Sequence, residues 1–309
     1  MTLQQLHYIV AVNEYRHFGQ AAKACQVTQS TLSSMIQKLE TEMDVVIFDR
    51  KSQPIEPTAL GAKLIDQAKV VLYHTSQFEE IVQLERNQDQ GDIRLGVITT
   101  VAPYILPKLF NQISKNAPKI NLEVSELRIS QLVHKLQRGE LDMAIMPSPE
   151  GVDDLLEIPL YREKFFAYIS PEHPLYTHAS ISPNEFEVDK MWLLKEGHCL
   201  RSNQVQSIGP AQSQFVSPYE EGSIDTLVRI VDLNGGYTII PELHIDLLKR
   251  CQKRNIRPIN YPEQVRQISL VVRNDFVKER LLNMVVNQFK KIIPPAMLNK
   301  RLHKFTVKL

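Results

Sequence analysis

The segment Gly197-His198-Cys199-Leu200-Arg201 sets a thiol between an imidazole and a guanidinium. A thiol attacks a peroxide only as its thiolate, so it needs a neighbouring cation or a helix N-terminus to lower its pKa. His198 and Arg201 are the adjacent candidates, and Gly197 allows close approach of the backbone. The product of such an attack is a sulfenic acid, the first rung of cysteine oxidation. On these residues alone a second reading stands beside the first, an inert cysteine in a structural turn. The other cysteines, Cys25 and Cys251, are far away in sequence and show no CxxC spacing. That excludes a zinc ribbon or a disulfide framework as an expectation. Cys251 serves as a resolving thiol only if the fold carries it to Cys199. The chain shows no Gly-rich phosphate loop, metal cluster or Ser/His/Asp pattern, so no metal, no cofactor and no enzymatic turnover is expected.

A second set of side chains suits a different task. Gln29, Ser30, Thr31, Ser34, Gln37 and Lys38 line the polar face of a helical pattern whose other face is Leu32, Ile36, Leu39 and Met43. Gln, Ser and Thr hydrogen-bond base edges, whereas Lys and Arg address phosphates. Thr28 is an N-cap candidate for this helix. Ahead of it, Phe18, Ala21, Ala22 and Cys25 mark a short helix, and Leu3, Leu6, Ile9 and Val10 mark the first. Two helices joined at Gln26-Val27, the second with a polar face, form a helix-turn-helix pattern. Spacing alone also allows a small bundle whose polar face meets water. Phe48–Lys51 and Pro54–Pro57 follow as a strand-turn-strand candidate, because the prolines forbid continued helix. Arg50 lies in this wing, as a further candidate for contact with DNA.

These elements must be held by the rest of the chain. From Thr58 to about Gln88, Leu64, Ala68, Val71, Thr75, Phe78 and Val82 are spaced 4-3-4-3-4, a heptad seam that either docks on a core or pairs two copies. Asn87–Gly91 is polar and ends in glycine, which places a hinge there. Beyond it the pattern alternates strand and helix: Ile93–Val97, a helix opened by Pro103, Leu122–Val124, a helix from Ser130 to Arg138 closed by Gly139, and the strand Asp142–Pro147. That order predicts a parallel sheet with right-handed crossovers. A second set comprises Phe165–Ser170, a helix over Ser223–Leu233 and the strand Tyr237–Pro241; Val265–Val272 crosses back, and Phe276–Ile293 forms a late helix. Two α/β lobes joined by two crossings make a cleft, the usual seat of a ligand.

Composition narrows the function class. Of 309 residues, 43% are hydrophobic and 23% charged, an ordinary folded protein rather than a disordered one. No apolar run approaches the ~18 residues of a membrane span, and the N-terminus lacks a secretory pattern, so the cytoplasm is the expected location. The net charge is +1, yet residues 242–309 carry 15 Lys/Arg against 5 Asp/Glu, while residues 1–58 carry 5 against 6. A near-neutral reading segment implies few phosphate contacts per subunit, compatible with DNA binding if copies associate.

Taken together, Phe18-x-x-Ala21-Ala22, Val27–Ser33, Ile36, Leu39-Glu40 and Phe48-x-Arg50 resemble the N-terminal signature of LysR-type transcriptional regulators. The resemblance covers the chain. It implies a fold with an all-α N-terminal part and an α/β remainder: a winged helix-turn-helix DNA-binding domain over 1–58, a linker and dimerisation helix with hinge over 59–90, and a two-lobed periplasmic-binding-protein-like effector domain over 91–309. Its lobes are expected at about 91–163 with 269–309, and about 164–268. Asp44 departs from the family's glycine after the third helix, but Asp tolerates the left-handed conformation. Cys25 fills a position that is commonly Leu.

Within the effector domain, Trp192-Leu193-Leu194, the Gly197–Arg201 segment, Thr99–Pro107 and Arg16-His17-Phe18 are similar to the OxyR branch, the hydrogen-peroxide-sensing LysR-type activators. The resemblance puts Thr100 on the peroxide-side threonine and Arg266 near the same pocket, beside His198, Cys199 and Arg201. Two positions depart: Ile208 stands where the branch has its second, disulfide-forming cysteine, and Ile129 where it has a further pocket threonine. The leading expectation is therefore a promoter-binding regulator that senses peroxide at Cys199 without an intramolecular disulfide. It pairs through its linker helix, assembles into a homotetramer and engages RNA polymerase. One alternative gives the cleft to a small, anionic effector held by Arg128, Arg201 or Arg266; a lesser one is a thiol peroxidase centred on Cys199.

Overall fold

The computed structural model describes residues 1–85, 91–149, 151–186, 191–194, 223–260, 265–300 and 302. The candidates His198, Cys199 and Arg201, and Ile208, lie outside the described residues. The chain divides into two compact units, residues 1–88 with 135–140, and residues 89–134 with 141–309.

In the first unit, α1 (Leu3–Tyr15), α2 (Phe18–Ala24) and α3 (Gln29–Met43) pack around Leu6, Ile9, Val12, Ala21, Leu32 and Ile36. Each start carries its own cap. Thr2 forms a capping box with Gln5, His17 Nδ1 accepts from Gly19 N at 3.0 Å, and Thr28 Oγ1 accepts from Thr31 N at 3.2 Å. Asp44 closes α3 in the left-handed conformation, φ 52°, as its short polar side chain permits. Two residues of the anticipated apolar stripes turn out otherwise. Leu3, the first residue of α1, and Met43, the last of α3, are 46% and 40% exposed, whereas Tyr8 and Val12 are buried.

The wing is the two-stranded antiparallel pair β1 (Phe48–Asp49) and β2 (Glu56–Pro57). The long helix α4 (Ala59–Glu85) follows. Thr58 caps it, accepting from Gly61 N at 2.9 Å while donating to Val46 O at 2.7 Å. The heptad seam is split by its surroundings. Ala68 is buried and Leu64 and Val71 pack against the helix-turn-helix core, but Phe78 is 75% and Val82 46% exposed, with Ile81 beside them at 49%.

The second unit is built on one sheet in the order β4-β3-β5-β9-β6-β7, with β8 on β6. Its strands are β3 (Gly91–Ile98), β4 (Ile120–Leu127), β5 (Met143–Met146), β6 (Leu155–Ile169), β7 (Tyr237–Pro241), β8 (Ile256–Pro258) and β9 (Val265–Arg273). Its helices are α5 (Ala102–Asn116), α6 (Ile129–Gln137), which runs into residues assigned to the first unit, α7 (Ile224–Asn234) and α8 (Glu279–Ile292). Gly139 follows α6 with φ 66°, the left-handed stop expected there.

The first strand-helix set is parallel, as its order predicts, while the sheet as a whole is mixed. β3 runs parallel to β4 and β5, but β9 is antiparallel to β5 and β6, and β6 is antiparallel to β7. The cause is β6, which begins ten residues ahead of the anticipated Phe165 and pairs with the returning β9 from Leu155 to Lys164. A second core lies beyond this pair, where Phe165, Ile169, Leu193, Leu227, Val228 and Ile239 are buried together.

Candidate functional site

The first site is the exposed face of α3. Gln29, Ser30, Thr31, Ser34, Gln37 and Lys38 are all exposed, while Leu32, Ile36 and Leu39 on the opposite side are at most 1% accessible. A 15-residue helix with this division can present one face to a groove without disturbing its core contacts. At its start, Thr28 Oγ1 lies 2.9 Å from Ser30 Oγ and 2.8 Å from Thr31 Oγ1, so the cap also orders the first two hydroxyls. The free backbone N–H groups of a helix N-terminus add an attraction for phosphate.

Arg50 is exposed on the wing but already engaged. Its NH2 donates to Glu40 Oε2 at 2.9 Å, and its guanidinium carbon sits 5.6 Å from the centre of the Phe18 ring. Glu40 in turn accepts from Ile47 N at 2.8 Å and Phe48 N at 3.3 Å through Oε1. One buried carboxylate thus ties α3 to the wing. Sequence reading noted Glu40 only as part of a signature; its signal was an acidic residue on the apolar side of an amphipathic helix.

The second site lies in the other unit, where the end of β3 meets the start of α5. Thr100 is 2% exposed and Arg266 4%. The structure brings these two predicted residues together: Arg266 NH1 donates to Thr100 Oγ1 at 2.9 Å and NH2 to Thr100 O at 3.2 Å. Among the described residues, three that were not anticipated join the cluster. Arg266 Nε donates to Glu163 Oε1 at 2.7 Å and NH2 to the Tyr104 hydroxyl at 2.8 Å, and that hydroxyl donates to Glu163 Oε1 at 3.0 Å. The Tyr161 hydroxyl faces Tyr104 from β6. Burial pushes both phenols well above their usual pKa, so they remain protonated donors. Arg266 also lies over the Phe165 ring, 5.6 Å from its centre.

The strand pattern explains this placement. Tyr161, Glu163, Phe165 and Ala167 alternate on the buried face of β6, and Arg266 is the register partner of Glu163 on β9. The visible signal was a carboxylate at an inward position of a period-2 pattern. Ile129, which replaces the expected threonine, begins α6 half-buried; Arg128 before it is half-buried too. The segment Met191–Leu194 runs beside β7, with Trp192 N donating to Tyr237 O at 2.8 Å and Trp192 Nε1 to Gly235 O at 2.9 Å. Of the other cysteines, Cys251 is exposed and Cys25 half-buried, with burial raising the Cys25 pKa. Among the described residues no cluster of three or more His, Cys, Asp or Glu could hold a metal ion, and no helix is long and apolar enough to cross a membrane.

A capped helix-turn-helix with a wing, followed along the chain by an α/β domain, is the make-up of a DNA-binding regulator. Residues 3–62 match the bacterial regulatory helix-turn-helix model of the lysR family, and residues 86–291 match the LysR substrate binding domain. The chain belongs to the LysR family of DNA-binding transcriptional regulators. It is 31% identical over 301 residues to the hydrogen peroxide-inducible genes activator of Haemophilus influenzae, covering 95% of this chain and 99% of that one. It is 30% identical over 297 residues to the HTH-type transcriptional regulator EstR of Acinetobacter baylyi, covering 94% and 97%. Among solved structures, a full-length OxyR variant from Pseudomonas aeruginosa superposes with a TM-score of 0.83 at 29% identity, over 97% of this chain and 98% of that one.

Proposed function

We propose that this LysR-type regulator responds to hydrogen peroxide, and that Cys199 is the responding group. The observation that carries the reading is the buried contact of Thr100 with Arg266, 2.9 Å, formed by the two described residues expected at a peroxide pocket. Near full-length similarity to proteins named as peroxide-inducible activators supports it. In the reaction, the Cys199 thiolate attacks one peroxide oxygen, the O–O bond breaks, and hydroxide leaves and is protonated to water, giving a sulfenic acid. His198 and Arg201 stabilise the thiolate, and Thr100 hydrogen-bonds the peroxide. With Ile208 in place of a second cysteine, the oxidised state is the sulfenic acid or a mixed disulfide with a small thiol.

The division of labour follows the expected boundaries: residues 1–58 read DNA, 59–90 pair two copies, and 91–309 carry the effector lobes. Gln29, Ser30, Thr31, Ser34 and Gln37 read groove edges, Lys38 and Arg50 hold phosphates, and two dimers form a homotetramer that engages RNA polymerase at a promoter in the cytoplasm. The anionic-effector alternative loses support because Arg266 is already paired with Glu163.

The test is promoter footprinting and reporter transcription with and without peroxide, for the wild type and Cys199→Ser, with dimedone labelling to detect the sulfenic acid. We expect the wild-type footprint and transcription to change and the variant to be unresponsive. An identical response from both removes the redox role of Cys199.

A further inference from the structure

The cluster around Arg266 contains an acidic group that peroxide chemistry does not by itself require. Glu163 is fully buried and stands directly across from Arg266 in the β6–β9 register. Its Oε1 takes both the guanidinium Nε and the Tyr104 hydroxyl. A buried guanidinium without a counter-ion is a strong receptor for carboxylates and other oxyanions, since it matches their geometry and its desolvation demands a partner. Here the counter-ion is supplied by the chain, and the pair is neutral.

We propose that Glu163 is a specificity-determining residue: by holding and neutralising Arg266 it closes the effector site to anions and reserves the Thr100 side for an uncharged, hydroxylic ligand. The identity of that ligand as a peroxide rests on the function proposed above; the exclusion of anions does not. Two details of bonding point the same way. Thr100 Oγ1 accepts from Arg266 NH1, so its own O–H is directed to donate elsewhere. Among the described residues, Glu163 Oε2 is buried and without a hydrogen-bond partner. An unpartnered carboxylate oxygen calls for a donor. A molecule that both donates and accepts, as a peroxide, water or an alcohol does, meets these demands. A carboxylate brings no proton at neutral pH, and a carboxylate or phosphate, being an anion, is repelled by Glu163.

Sodium formate, titrated into the full-length protein against sodium chloride at constant ionic strength, reads this directly by calorimetry. The wild type is expected to show no saturable formate binding. Glu163→Gln, which keeps the shape and drops the charge, is expected to bind formate saturably, at least roughly tenfold more tightly than the weakest binding the titration can detect, as a newly available charge-assisted pair implies. The gain should vanish when Arg266→Lys is added, because the planar fork is lost. Glu163→Ala serves as a second variant with the same expectation, and melting curves in chloride establish that each is folded. Saturable formate binding by the wild type that Arg266→Lys abolishes overturns the proposal. So does a folded Glu163→Gln or Glu163→Ala with no gain. Loss of the peroxide response in the reporter experiment would change the ligand's identity and leave these arms unaffected.

Discussion

Arg50 shows how local bonds set what a side chain offers a partner. Its type and place in the wing suggested a phosphate contact, yet it donates to Glu40 and lies against Phe18. With that bond formed, it can present only its remaining donors, and it also fixes the wing relative to α3. His244 is a second case, in the other unit. It is 1% exposed, neither ring nitrogen has a hydrogen-bond partner among the described residues, and Asp225 Oδ1 at 3.6 Å from Nε2 is too distant for one. Burial pushes its pKa below the usual 6.5, and the Asp225 charge opposes this only in part. Stability rises with pH wherever the unfolded chain binds more protons. With the folded pKa depressed, His244 leaves stability intact above the unfolded value of 6.5 and removes it as pH falls below. The urea midpoint of the wild type should therefore drop between pH 7.5 and 5.5 more steeply than that of His244→Leu; parallel profiles would show that another group dominates.

At the scale of elements, α4 begins against the strand region of the wing through Gly61. A Cβ built there would lie 2.0 Å from Ile47 O, inside any allowed contact. Helix propensity alone makes Gly→Ala stabilising by up to about 1 kcal/mol. Overpacking against backbone reverses the sign, so Gly61→Ala should destabilise the first unit by about 2 kcal/mol, seen as a lowered melting temperature. An increase in melting temperature would mean that α4 can shift freely at its start. The start of α3 was legible because capping is local: Thr28 caps it as expected. β6 was less legible. Its first half mixes exposed and buried residues without clean alternation until Tyr161, since Leu156 and Glu157 face water. The last helix, α8, begins at Glu279 and not at the expected Phe276 for a related reason, as Phe276 is buried in the turn ahead of the helix and reads as part of its apolar face.

For the whole molecule, the apolar surface left open on the C-terminal half of α4 is the clearest sign of what one chain lacks. Phe78, Ile81 and Val82 are each 46% or more exposed. Pairing two such helices would bury these side chains at roughly 25 cal/mol per Å². Phe78→Glu should weaken dimerisation roughly tenfold or more in sedimentation equilibrium, with a matching loss of affinity for a two-half-site promoter. Unchanged association would place the interface elsewhere.

The residues by themselves determined the helix-turn-helix, the polar face of α3, the long linker pattern and the αβ character of the remainder, because each is written in periodicities of 3.6 or 2 and in caps that act within a few positions. Thr100 and Arg266 as a pair came from resemblance, not from spacing. Only the tertiary structure decided that a buried carboxylate, 103 residues from its partner, holds that arginine. Whether a charge is free or already answered depends on strand register across a crossing. Long-range register follows from the packing of the whole sheet, and no local pattern carries it.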